Sequence, residues 1–212
     1  MLTLKLGFAL EGNSDYPVIP HLTQRVIQDY APNTIFLPDS TLRPRKRGHG
    51  FVQELPTFAR QLQDDEVDMI VAVVDTDNNR INERRQLIQQ AKQRCQDIGI
   101  PTCIADGLAV HALEAWLLAD ELALFAVFDG NRQAVQFPPA EREPSPKFTL
   151  NHIVQELTGG QEVSFVPFAT ELSENIRLQI LRQRCDHFDN FARNVINCFR
   201  NLERIQNQPP VG

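Results

Sequence analysis

Residues 69–77 read MIVAVVDTD. Six apolar residues follow one another without alternation, and the run then stops at two aspartates one residue apart. A strand with one wet face alternates apolar and polar residues. An unbroken apolar run ended by polar residues instead fits a strand covered on both faces, as at the centre of a parallel sheet. We expect this segment in the middle of a sheet, with Asp75 and Asp77 just beyond its C-terminal end.

Further β-prone runs occupy residues 3–10, 34–37 and 102–105. Between and after them lie stretches of helical length and composition at 16–30, 52–63, 79–97, 110–125 and 148–157. Strands alternating with helices give βαβ units, so the expected class is α/β, with a parallel sheet of about four strands flanked by helices. A helical C-terminal part is expected from about residue 171 to 206. There Phe188, Phe191, Val195 and Phe199 recur at three- and four-residue spacing, which reads as a core-facing stripe rather than a ligand box. The segment DGNRQAVQFPPAEREPSP at 129–146 has no periodicity and is rich in proline and charge, so it marks a long loop. The expected organisation is an α/β core over 1–128, with the loop and helical C-terminal subdomain of 129–212 packed on it as one compact unit.

Composition narrows the classes. The 212 residues are 42% hydrophobic and 23% charged, within the range of globular chains. The formal net charge is -6, so no global positive field draws the chain to a polyanion, and contact with nucleic acid must be local or metal-bridged. Four cysteines, at 95, 103, 185 and 198, show neither C-x-x-C pairing nor the density of a disulfide scaffold. Buried reduced thiols and a cytoplasmic location are therefore expected. The opening apolar run is too short for a signal peptide, and no stretch approaches the ~18 apolar residues of a membrane span.

Chemistry concentrates at the strand ends. The first strand runs into Glu11-Gly12-Asn13-Ser14-Asp15 and the third into Asp75-Thr76-Asp77, which places acids at the carboxyl edge where open α/β sheets bind ligands. Gathering carboxylates there costs electrostatic repulsion, and a divalent cation removes it. Oxygen-only donors suit Mg²⁺ or Mn²⁺. An EF-hand reading of D-x-D-x-N fails, because Arg80 stands at the sixth position and Gln86 at the twelfth. A strand followed by D-x-D also resembles the haloacid-dehalogenase-like phosphatases. In that family the motif lies on the first strand and continues to Thr or Val, where this chain has Asn79. The segment TLRPRKRGHG at 41–50 collects Arg43, Arg45, Lys46, Arg47 and His49 in an otherwise acidic chain, and suits contact with a phosphate backbone.

Taken together, Glu-Gly after the first strand and an apolar strand ending in D-x-D resemble the Toprim domain of topoisomerases, primases and overcoming-lysogenization-defect (OLD) nucleases. With the RPRKRGHG loop, HALEAWLLAD at 111–120, SPK at 145–147 and RCDHFDNF at 184–191, the chain is similar to small stand-alone Toprim-like proteins of unknown function. The resemblance implies Glu11, Asp75 and Asp77 as metal-site acids, completed as in the OLD-type nucleases by a later glutamate and lysine, for which Glu114 and Lys147 are the matching positions. Glu114 sits among apolar residues, where an unpaired carboxylate is costly, so a metal or a basic partner is expected. His111 reads as structural. The function implied is Mg²⁺- or Mn²⁺-dependent hydrolysis of nucleic acid, DNA rather than RNA, in phage or mobile-element defence. The competing expectations are a non-catalytic metal- or nucleotide-binding subunit of a complex with an ATPase partner and, ranked below it, the phosphatase.

Overall fold

The computed structural model describes residues 2–12, 14–42, 49–76, 80–128, 136–161 and 163–206. The chain opens with β1 (Thr3–Leu4) and β2 (Leu6–Leu10), then α1 (Ile19–Tyr30), β3 (Ile35–Phe36) and β4 (Ser40–Leu42). There follow α2 (His49–Asp64), β5 (Met69–Asp75), α3 (Ile81–Asp97) and β6 (Cys103–Ala109). Beyond the sheet come α4 (Glu114–Leu117), α5 (Glu121–Phe128), a 3-10 turn (Ala140–Arg142), α6 (Pro146–Leu157), α7 (Phe165–Asn175), α8 (Leu178–Arg184) and α9 (Asp186–Gln206). No helix among the described residues is long and apolar enough to cross a membrane.

The main sheet has four strands in the order β4-β2-β5-β6, and all of its pairings are parallel. The fold is α/β with a helical C-terminal part, as the sequence leads one to expect. The MIVAVVD run is β5, paired on both sides and buried except at Asp75. A separate two-residue pairing of β1 with β3 extends the β2 and β4 edge. It is broken at Lys5, whose N–H donates to Asp68 Oδ2 at 2.7 Å instead of joining a ladder.

Side chains alternate across β5, so its two faces feed two cores. Met69, Val71 and Val73 join Phe8 and Leu10 under α1 and α9, whereas Ile70, Ala72 and Val74 pack with α2 and α3. On β6 the face toward α9 reads Ala105, Gly107, Ala109, and this row of small residues lets the helix come close. The stripe of Phe188, Phe191, Val195 and Phe199 fills that approach, each residue fully buried. The C-terminal half is therefore part of the wall of the sheet. Its attachment is reinforced at Asp120, whose buried carboxylate accepts hydrogen bonds from the backbone N, Nε and Nη2 of Arg177 at 2.6–2.9 Å.

Three expectations need correction. The single helix expected over 110–125 is two helices, α4 and α5, parted at residues 118–120, and the first starts late because residues 110–112 form a tight turn. The C-terminal stretch is three helices, its last two parted by the extended residue Cys185. The four thiols are not all reduced: Cys103 and Cys198 form a disulfide with Cα atoms 5.6 Å apart, while Cys95 and Cys185 are free and buried. The packing of α9 on β6 brings the first pair within the distance a disulfide needs, a juxtaposition that spacing along the chain does not reveal.

At Gly107 added bulk meets the packed ring directly, since a Cβ there would lie 2.8 Å from Cδ2 of Phe191. Gly107→Ala is expected to lower stability by about 1–3 kcal/mol, read as a smaller midpoint in urea unfolding with an unchanged slope.

Candidate acidic site at the carboxyl edge of the sheet

From β2 the chain crosses by α1 to β4 on one side, and from β5 by α3 to β6 on the other, with α1 and α3 on opposite faces. The boundary between β2 and β5 is thus the switch point of the sheet, outside whose carboxyl ends a crevice forms in folds of this kind. Glu11 follows β2 directly and Asp75 closes β5, so these two acids flank the crevice.

Two local devices complete the surroundings. In the loop after β2, Gly12 N donates to Asp15 Oδ2 at 2.8 Å and Ser14 Oγ donates to Asp15 Oδ1 at 3.2 Å. A Cβ on Gly12 would stand 3.2 Å from both Asp15 oxygens, so the glycine lets the carboxylate fold back onto the loop that carries Glu11. After β6, Ala112 N donates to Val110 O at 2.7 Å across His111, whose φ is 61°. A three-residue turn with positive φ at a non-glycine residue is strained and needs surrounding structure to hold it. Thr76, fully buried, supplies the hold: its N–H donates to Ala109 O at 2.9 Å, and its Oγ1 accepts His111 N–H at 3.0 Å.

That turn delivers Glu114 as the first residue of α4, not as one position along a longer helix. His111 accordingly belongs to the turn and does not precede Glu114 by a helical turn. Glu114 is only 5% exposed, and its Oε2 has no hydrogen-bond partner among the described residues. The Nδ1 of His111 is likewise buried without one. Two residues on, Trp116 is held between Phe188, edge-on at 5.1 Å, and Phe191, stacked at 5.6 Å, while its Nε1 donates to Glu141 Oε1 at 3.3 Å.

Electrostatics tie these groups together. Burial, then the negative charge of Asp15, raise the Asp75 carboxyl well above the usual carboxylate range. Glu114 and Glu11 push the same way, and Lys147 opposes them. Lys147 Nζ stands 3.8 Å from Asp75 Oδ2 and is more than half exposed, which limits how far it can offset the acids. Asp15, 4% exposed, is pushed up to about 6, chiefly by burial. Burial also raises the carboxyl of Glu114, against the pull of Lys147.

Of the residues singled out from sequence, the structure brings together Glu11, Asp75, Glu114 and Lys147. Asp77 lies outside the described residues, as do Arg43, Arg45, Lys46, Arg47 and the side chain of His49. Asp15 was not singled out, although it closes the quoted EGNSD motif. Its position four residues after Glu11 on a glycine-containing turn was the available signal. Among the described residues no group of three His, Cys, Asp or Glu side chains is arranged to hold a metal ion. The donor set that is present, carboxylates with one buried and unpartnered oxygen, fits a hard cation by its chemistry.

Beside the site, past the end of β6, a cavity of about 660 Å³ opens between Ile81, Val110, Phe137 and the pair formed by His187 Nδ1 and Glu141 Oε2 at 3.0 Å. A second cavity of about 610 Å³ lies at the opposite edge of the sheet, against Cys103 and Cys198, and has no acid in its lining.

A search of the curated proteins returns no match. A search of the solved structures returns none either. A family profile matches residues 10–196, a span that runs from the end of β2 through the acidic edge into the first half of α9. The chain therefore belongs to DUF4276, a domain of unknown function.

Proposed function

We propose that this protein hydrolyses phosphodiester bonds of nucleic acid at the acidic edge, with Mg²⁺ or Mn²⁺ bound by Glu11, Asp75 and Glu114 together with Asp77. The observation that carries the reading is the state of Asp75. It is raised well above its ordinary range by burial and three other acids, although Lys147 lies 3.8 Å away. The cluster holds more negative charge than its own cation offsets, so it takes up either protons or a divalent cation.

A bound cation supplies Lewis-acid neutralisation of the phosphate and a water of lowered pKa. The chain's own groups have distinct tasks. Lys147, at the start of α6 and exposed toward solvent, holds a non-bridging phosphate oxygen and stabilises the charge that develops on it. Asp15 fixes the loop that presents Glu11. The clamp from Thr76 to the His111 backbone fixes the entry of α4 and hence Glu114. The basic segment 43–47, next in sequence after β4, supplies backbone contacts beyond the reacting phosphate. A cytoplasmic setting and a DNA substrate go with this reading.

With Mn²⁺ or Mg²⁺, the purified chain is expected to cut labelled DNA, and chelation is expected to stop it. Asp75→Asn and Glu114→Gln should each lower the rate on the order of a hundredfold or more. Cleavage that survives Asp75→Asn would sink the assignment. Metal binding without cleavage, joined to co-purification with an ATPase, would move the acids to a non-catalytic subunit.

Stability gives a second check that does not need activity. A carboxyl raised in the folded state binds its proton more tightly there than in the unfolded chain. Its unfavourable contribution is therefore absent below about 4 and grows to full size above the folded value, about 6 for Asp15. The metal-free protein should lose stability as pH rises through that window. At pH 7.5 Asp75→Asn should melt higher than the natural chain, by roughly 2–4 °C per kcal/mol of repulsion relieved, and the gap should close below pH 4. Mn²⁺ should raise the melting temperature of the natural chain and leave that of Asp75→Asn in place. A variant that melts lower at pH 7.5, with no response to Mn²⁺ in either protein, refutes the charge surplus.

A further inference from the structure

Next to Lys147 on the first turn of α6 stands Phe148, the most exposed large apolar side chain among the described residues, at 74%. Its ring is nearly parallel to that of His152 one turn along, with an interplanar angle of 15° and centroids 6.3 Å apart. His152 is anchored from its far side by Glu156, 3.5 Å from Nε2. The remaining exposed positions near it on the helix, Asn151 and Gln155, are polar. Along α6 the ring is thus not continued by exposed apolar neighbours. It is a single flat surface, open on one side, one residue from a cation that reaches the central acid of the site.

We infer that Phe148, backed by His152, is a stacking platform for an unpaired base adjoining the phosphate held at Lys147, so that the substrate is single-stranded nucleic acid. The inference rests on the hydrolase reading and adds the substrate class. Lys147 and Phe148 are consecutive on α6 and their side chains leave the helix ~100° apart, so the base that meets the second is one flanking the phosphate held by the first, carried round the helix on a flexible unpaired strand. Only an unstacked base has a face free for a protein ring, whereas a base in a duplex is covered on both sides. Stacking is indifferent to base identity, so it confers a preference for strand state and not for sequence.

The test compares the natural chain with Phe148→Ala and Phe148→Trp, using fluorescence anisotropy of labelled oligodeoxythymidylate, oligouridylate and a duplex of the same length. Because the ring is exposed, neither substitution disturbs the core, and circular dichroism checks that. The affinity ratio of single strand to duplex should fall roughly ten- to a hundredfold in Phe148→Ala and recover in Phe148→Trp. In an oligonucleotide carrying abasic sites throughout, the natural chain and Phe148→Ala should bind alike. A natural chain that binds and cuts nucleic acid, beside a Phe148→Ala variant with an unchanged ratio, overturns the platform and leaves the hydrolase reading standing. A natural chain that binds no nucleic acid in any form overturns both.

Discussion

Where Phe191 lies against β6, nothing larger than hydrogen fits at Gly107, because a Cβ would stand 2.8 Å from the ring. That close approach sets more than the depth of α9. Phe191 also stacks on Trp116, Phe188 meets the same indole edge-on, and Trp116 sits two residues after Glu114 on a four-residue helix. So short a helix has little stability of its own and takes its position from its packing. The placement of an acid at one end of the sheet is thus governed by aromatic contacts with a helix lying across the sheet's face.

The acidic edge runs against the trend of the rest of the molecule. Elsewhere among the described residues several buried or half-buried acids are matched: Asp120 by three donors of Arg177, Glu141 by His187 and Trp116, and Asp106 by Lys92. At the edge, three carboxyl groups are pushed upward together, Glu114 Oε2 has no hydrogen-bond partner among the described residues, and the backbone at His111 is held in a strained turn. Departures from self-consistency of this kind gather where a structure serves a ligand. Here the two hydrogen bonds of Thr76 couple the departures, since its backbone N–H and its hydroxyl oxygen together join the ends of β5 and β6.

The main features of the sheet were legible because burial on two faces writes itself as an unbroken apolar run, and that run correctly placed β5 at the centre. The stripe of α9 was legible for the parallel reason at helical period. Glu11 and Asp75 could be read from their positions just after strands. The break at residues 110–112 could not be read, because His-Ala-Leu-Glu has ordinary helical composition and the turn comes from a hydrogen bond to Thr76, far away in sequence. Asp15 is obscured because its carboxylate folds onto Gly12, which makes a buried acid of this edge look like turn chemistry. The disulfide was invisible for want of a pattern, and Phe148 because an exposed ring and a buried one look the same in a sequence.

The position of α9 also bears on how the molecule is made. The sheet is finished in sequence at Ala109, yet the face formed by Phe8, Leu10, Val71 and Val73 has one of its two covering helices still to come. The contacts that close it are among the most distant in the chain, as the hydrogen bond from Arg200 Nε to Tyr30 Oη, 170 residues apart, illustrates. Such long-range closure is slow and occurs late. On the ribosome the nascent sheet therefore waits with an apolar side open, the kind of surface on which chaperones act and neighbouring chains stick.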